Sequence, residues 1–228
     1  MPKLQKTRFW LAPELERPTS TMTTAVKICG ITRVEDALAA ASAGAHAVGL
    51  IFYGASPRNI LLQAARQVVD ALPPFVTPVA LFVNPTTELV RDVVAQVRPQ
   101  LLQFHGEEAP EFCTQFGLPY IKSVRVGPGV DLLQYARRYA GSKGVLLDAL
   151  VDGSHGGTGT VFDWNLIPAA FPLPLILAGG LNPDNVGDAV RRVRPWAVDV
   201  SSGVEFAKGI KDAARIVAFI RGVRNADV

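Results

Sequence analysis

The chain has 228 residues, 49% of them hydrophobic and 19% charged, with 20 Gly and 17 Pro. That length and apolar content suit one large α/β domain and argue against intrinsic disorder. Of the net charge of +3, most sits before Met22, where Lys3, Lys6, Arg8 and Arg17 outnumber Glu14 and Glu16; the nearly neutral remainder lacks the interleaved basic and aromatic stripe of a nucleic-acid binder.

No uncharged apolar run reaches the roughly 18 to 20 residues of a bilayer span, and no secretory leader opens the chain, so a cytoplasmic protein without a membrane partner is expected. Residues 1–24 mix Pro, Thr and charge without a hydrophobic period and read as an extension outside the fold, either disordered or, with Met22 as the start, largely untranslated.

From residue 25 to 228 one pattern recurs: a short apolar run, a Gly- or Pro-marked turn, then a stretch of helical spacing. Strands are predicted at Val26–Cys29, Ala47–Phe52, Val79–Val83, Leu101–His105, Tyr120–Val126, Val145–Ala149, Leu173–Ala178 and Ala197–Ser201. Helices are predicted at Arg33–Ala43, Leu61–Ala71, Thr86–Val97, Pro110–Phe116, Asp131–Tyr139, Asp163–Phe171, Pro183–Val193 and Lys211–Val223. Continuously apolar strands with helical crossovers indicate a parallel sheet covered on both faces. Eight such units in about 200 residues make a single-domain α/β fold, a (β/α)8 TIM barrel, with a doubly wound open sheet as the alternative. Pro78 is expected at a strand entrance, where its missing N–H costs no ladder bond.

A barrel of this kind carries its site at the carboxyl ends of the strands. There stand Cys29 on the first strand, His105 on the fourth and Asp148 on the sixth. Alternation along a strand puts Lys27 one layer below Cys29, Gln103 below His105 and Asp199 below Ser201. First and eighth strands are neighbours in a closed barrel, so Lys27 is expected to pair with Asp199, relieving the cost of a buried ammonium. Cys29, beside that cation, is a candidate base or nucleophile, whereas Cys113 reads as packing. Asp148 closes an apolar strand, and such a setting raises a carboxyl pKa towards what a general acid needs.

Glycine loops follow the seventh and eighth strands, Gly179-Gly180-Leu181-Asn182 and Ser201-Ser202-Gly203, where backbone N–H groups can approach a phosphate. The run Asp152–Gly159, containing His155 and Gly157, reads as a mobile lid. Arg58, in Ser56-Pro57-Arg58, sets a planar cation on the rim that suits a carboxylate. The two cysteines have no metal-ligand spacing, and no strand-linked G-x-G-x-x-G is present, so neither metal nor cofactor is expected.

Taken together, Lys27-Ile28-Cys29-Gly30-Ile31-Thr32, Ser56-Pro57-Arg58, Gln103-Phe104-His105-Gly106, Gly156-Gly157-Thr158-Gly159, Ala178-Gly179-Gly180-Leu181-Asn182-Pro183 and Val198-Asp199-Val200-Ser201-Ser202-Gly203 resemble the phosphoribosylanthranilate isomerase family from Val26 to about Asp212. The resemblance implies a cofactor-free Amadori rearrangement in tryptophan biosynthesis, in a monomer or homodimer acting on a small phosphorylated substrate. It implies Asp148 as general acid, Cys29 as general base and Arg58 on the anthranilate carboxylate. The loops carrying Gly179, Gly180, Asn182, Ser201, Ser202 and Gly203 would hold the phosphate, with His105, Gly157 and Asp199 lining the site. Two alternatives stay open. One is the related aminoimidazole ribotide isomerase of histidine biosynthesis, expected to use a carboxylate where Cys29 stands; the other is a non-catalytic barrel that binds a phosphorylated metabolite.

Overall fold

A computed structural model describes residues 23–127, 129–149 and 163–227. Eight parallel strands close into a barrel in chain order. They are β1 (Ala25–Cys29), β2 (Ala47–Phe52), β3 (Thr77–Phe82), β4 (Leu101–Phe104), β5 (Tyr120–Val126), β6 (Val145–Ala149), β7 (Leu175–Leu177) and β8 (Ala197–Val200). Closure is made where β1 pairs β8, with Lys27 opposite Asp199. Pro78 is the second residue of β3, opposite Val48, and accepts from Gln100 N–H through its carbonyl; an entrance position tolerates it because only its missing donor would weaken the ladder.

Seven α-helices lie around the barrel among the described residues: α1 (Val34–Ala43), α2 (Leu62–Ala71), α3 (Thr87–Val97), α4 (Pro110–Thr114), α5 (Leu132–Arg138), α6 (Val186–Val193) and α7 (Ala213–Ala226). The helix predicted over Asp163–Phe171 does not form. Only a 3-10 turn, Trp164–Leu166, is present, capped by the Asp163 carboxylate accepting from Asn165 N–H. Pro168 explains this, because the residue before proline is pushed out of the helical region, and Ile167 is extended at φ −82° and ψ 119°. Pro172 and Pro174 likewise shorten β7 from the predicted Leu173–Ala178. Past β8, a two-stranded antiparallel hairpin unforeseen in the sequence, β9 (Glu205–Ala207) with β10 (Ile210–Lys211), precedes α7.

The main core fills the layer between strands and helices. Its centre is an aromatic column in which the rings of Phe52, Phe82 and Phe104 follow one another at 5.6 and 5.9 Å. Inside the barrel the apolar contacts divide into two smaller groups, Cys29 with Ile51, Leu81 and Val83, and Ile121 with Leu146, Ile176 and Ala178. Lys27, Gln103, Ser123 and Asp199 share that interior face and are all buried. The interior is therefore polar in the middle, which leaves chemistry within reach of the rim. Among the described residues no helix is long and apolar enough to cross a membrane.

Candidate active site

A cavity of about 370 Å³ opens at the carboxyl ends of the strands. Cys29 of β1, His105 after β4 and Asp148 of β6 all line it, as do Arg58, Gly179, Gly180, Asp199, Ser201 and Ser202; Ile51, Leu81 and Val83 supply apolar wall. Asn182 and Gly203 do not line it. Gly157 and the predicted lid Asp152–Gly159 lie outside the described residues.

On one side, Lys27 donates to Asp199 Oδ1 at 2.9 Å with both side chains buried, which is the pairing that strand parity requires. Burial opposes the Lys27 charge, but Asp199 and then Cys29 outweigh it and hold the ammonium above its ordinary pKa. The Cys29 thiol pKa is raised despite the neighbouring cation. Burial pushes it up, Lys27 and Lys211 pull it down, and Asp199 adds to the rise, so the net shift is upward and the resting group is a neutral thiol. The cation is present, but its field is partly spent on Asp199. Gly49, opposite Cys29 in β2, provides the room: a Cβ there would stand 2.7 Å from Cys29 Sγ and 3.1 Å from Lys27 Cε.

Across the cavity, Asp148 Oδ2 lies 3.2 Å from His105 Nε2, with Asp148 buried and His105 partly so. The backbone carrying His105 is clamped from outside the barrel. Fully buried Lys122 donates from Nζ to the carbonyls of Phe104 and Gly106, at 3.3 and 2.6 Å, and pairs with Glu108 at 3.2 Å. The Glu108 carboxylate in turn accepts from the Gly106 and Asn84 N–H groups. Burial lowers the Lys122 pKa, against the pull of Glu108.

Arg58 sits at the rim, 9% exposed, with Nε and Nη2 donating to Glu205 Oε1 and Oε2 at 2.7 and 2.8 Å. Lys211 Nζ donates to the same Glu205 at 2.9 Å and to the Ser201 carbonyl at 3.1 Å. Burial would raise the Glu205 pKa, yet Arg58 and Lys211 together hold it below the usual range. A guanidinium has five donors, so two given to Glu205 leave others for a ligand. Glu205, unassigned from sequence, thus orients Arg58; nothing marked its partner 147 positions away.

The glycine loops are shaped as their sequence requires. Gly179 and Gly180 have φ of +80° and +67°, a region that L side chains rarely adopt. Asn182 turns its amide oxygen to the N–H groups of Asp184 and Asn185, closing the turn that leads into α6. Gly203 lets the loop after β8 approach the loop after β7 so closely that a Cβ would collide with the Leu181 carbonyl. Both residues shape the rim from behind. Ser201 Oγ is buried with no hydrogen-bond partner among the described residues, an unused donor at the edge of the cavity.

The family model described as N-(5'-phosphoribosyl)anthranilate (PRA) isomerase matches residues 26–222. A curated relative from Nitrosospira multiformis, named N-(5'-phosphoribosyl)anthranilate isomerase, is 59% identical over 202 residues, covering 89% of this chain and 97% of the relative. The crystal structure of phosphoribosyl anthranilate isomerase from Thermotoga maritima is similar with a TM-score of 0.81 at 43% identity, covering 89% of this chain and 99% of that one. A further phosphoribosyl anthranilate isomerase structure, in complex with reduced 1-(o-carboxyphenylamino)-1-deoxyribulose 5-phosphate, is similar with a TM-score of 0.75 at 40% identity, over 89% of this chain and 99% of that one. The matched span holds every strand of the barrel, save Ala25 at the start of β1, and every described residue that lines its cavity, and the chain belongs to the N-(5'-phosphoribosyl)anthranilate isomerase family.

Proposed function

We propose that this chain carries out the family's isomerisation of N-(5-phosphoribosyl)anthranilate to 1-(2-carboxyphenylamino)-1-deoxyribulose 5-phosphate, in tryptophan biosynthesis, with Asp148 as general acid and Cys29 as general base. The observation that carries this reading is the placement of Cys29 and Asp148 on β1 and β6, lining one cavity whose rim is made of glycine loops.

Asp148 gives its proton to the furanose ring oxygen as the bond from that oxygen to C1 breaks, and the anilino nitrogen pair forms the C1 iminium. The Cys29 thiolate takes the proton from C2, and the freed pair makes the C1–C2 double bond of the enolamine while neutralising the nitrogen. Loss of the enol O–H proton and protonation of C1 give the ketone. Each step moves protons between the substrate and the protein and electron pairs within the substrate, with no net change of oxidation state, so no external oxidant enters the balance. The ion pair with Asp199 restrains Lys27, which sits where it stabilises the thiolate once formed. Arg58 holds the anthranilate carboxylate with the donors Glu205 leaves it, and the N–H groups around Gly179, Gly180, Ser201 and Ser202 hold the phosphate.

The residues assigned to acid, base and anion binding all come from this chain, and the reading applies to a monomer or a homodimer. A free Cys29 thiol suits the reducing cytoplasm. The test is to generate phosphoribosylanthranilate in place and follow loss of its fluorescence with the purified protein. Rapid loss is the expected result; no loss with this substrate, and turnover of an aminoimidazole ribotide instead, would overturn it.

A further inference from the structure

Gln103 is fully buried one layer beneath His105, and its amide is only half used. Nε2 lies 3.2 Å from His105 Nδ1 and 3.4 Å from Ser123 Oγ, while Oε1 has no hydrogen-bond partner among the described residues. A buried acceptor without a donor is destabilising, so packing alone would favour an apolar side chain there. An amide NH₂ can only donate. With the amide nitrogen facing it, Nδ1 accepts when the ring carries a single proton, and that proton then falls on Nε2, the atom 3.2 Å from Asp148 Oδ2.

We propose that Gln103 is a positioning residue that fixes His105 as the Nε2–H tautomer, so that the ring donates to Oδ2 of the carboxyl that delivers its proton to the substrate. The inference rests on the reading of Asp148 as general acid. It concerns the ring's proton rather than the ring's place, because the backbone on both sides of His105 is already held by Lys122 and Glu108.

The experiment uses the full chain and the variant Gln103→Met, which keeps the volume, removes the orphaned acceptor and leaves Nδ1 without a donor. We expect an unchanged or higher melting temperature, a KM near the parent's and a kcat lower by about 10- to 100-fold, part of what a general acid contributes. Nitrogen NMR of the labelled chain, with its three histidines, should show the parent His105 as the Nε2–H tautomer and the variant as a mixture. A parent ring protonated on Nδ1, or a Gln103→Met kcat equal to the parent's while Asp148→Asn is inactive, would overturn the proposal. Parent-like turnover by Asp148→Asn would instead remove the acid assignment, and this inference with it.

Discussion

A thiol at the top of a barrel is a weak base until something stabilises its anion. Burial raises the Cys29 pKa, and Lys27 and Lys211 recover only part of that rise. As the basic form is the thiolate, kcat/KM should climb with pH through and beyond the ordinary thiol value near 8.5. Cys29→Asp, whose carboxylate is charged at neutral pH, should flatten that climb; a parent profile already level from pH 7 upward would count against thiolate as the base. Room for the thiol comes from Gly49, so Gly49→Ala is expected to lower kcat by about tenfold or more by displacing Sγ, measurable with the same assay. The Lys27–Asp199 pair was legible in the sequence because side-chain parity and barrel closure need only positions in two strands. Gly49 was not legible: its function is the absence of a side chain opposite Cys29, and a glycine inside an apolar run carries no mark of what it faces.

The hairpin β9–β10 ties the rim together. Glu205 at its start binds Arg58 and Lys211, and Lys211 also holds the Ser201 carbonyl, so the cation expected to meet a carboxylate and a loop expected to meet a phosphate share one anchor. Glu205→Ala leaves two buried cations without their partner, and such losses typically cost about 3–5 kcal/mol. Chemical denaturation should show a loss of that order together with a raised KM; a variant as stable as the parent would mean the pair is more solvated than its burial indicates. Strand positions were readable from continuous apolar runs between turns, and the misread segment, Asp163–Phe171, had helical spacing that Pro168 overrode locally. The hairpin escaped notice because three- and two-residue strands are too short for a period to register.

Across the whole molecule, apolar packing sits between barrel and helices while the barrel interior keeps buried polar groups, so stability depends on pH through groups far from the cavity as well as in it. Cys113, fully buried against α4's neighbours, has its thiol pushed up to about 12, chiefly by burial. Its folded pKa lies above its unfolded one, so the native state binds the extra proton between about pH 8.5 and 12, and this contribution to stability falls as pH rises through that window. Cys113→Ala should therefore gain on the parent by up to about 1.4 kcal/mol per pH unit above pH 8.5, read from denaturation midpoints at pH 7.5 and 10; a constant difference would contradict the shift. The central claim concerns the two groups that face each other over the cavity. Single-turnover conversion of phosphoribosylanthranilate by the parent, Cys29→Ala and Asp148→Asn tests it most directly. Both substitutions should slow the chemical step by about 10²- to 10⁴-fold with substrate binding near the parent's, and a parent-like rate in either variant would contradict the acid and base assignment.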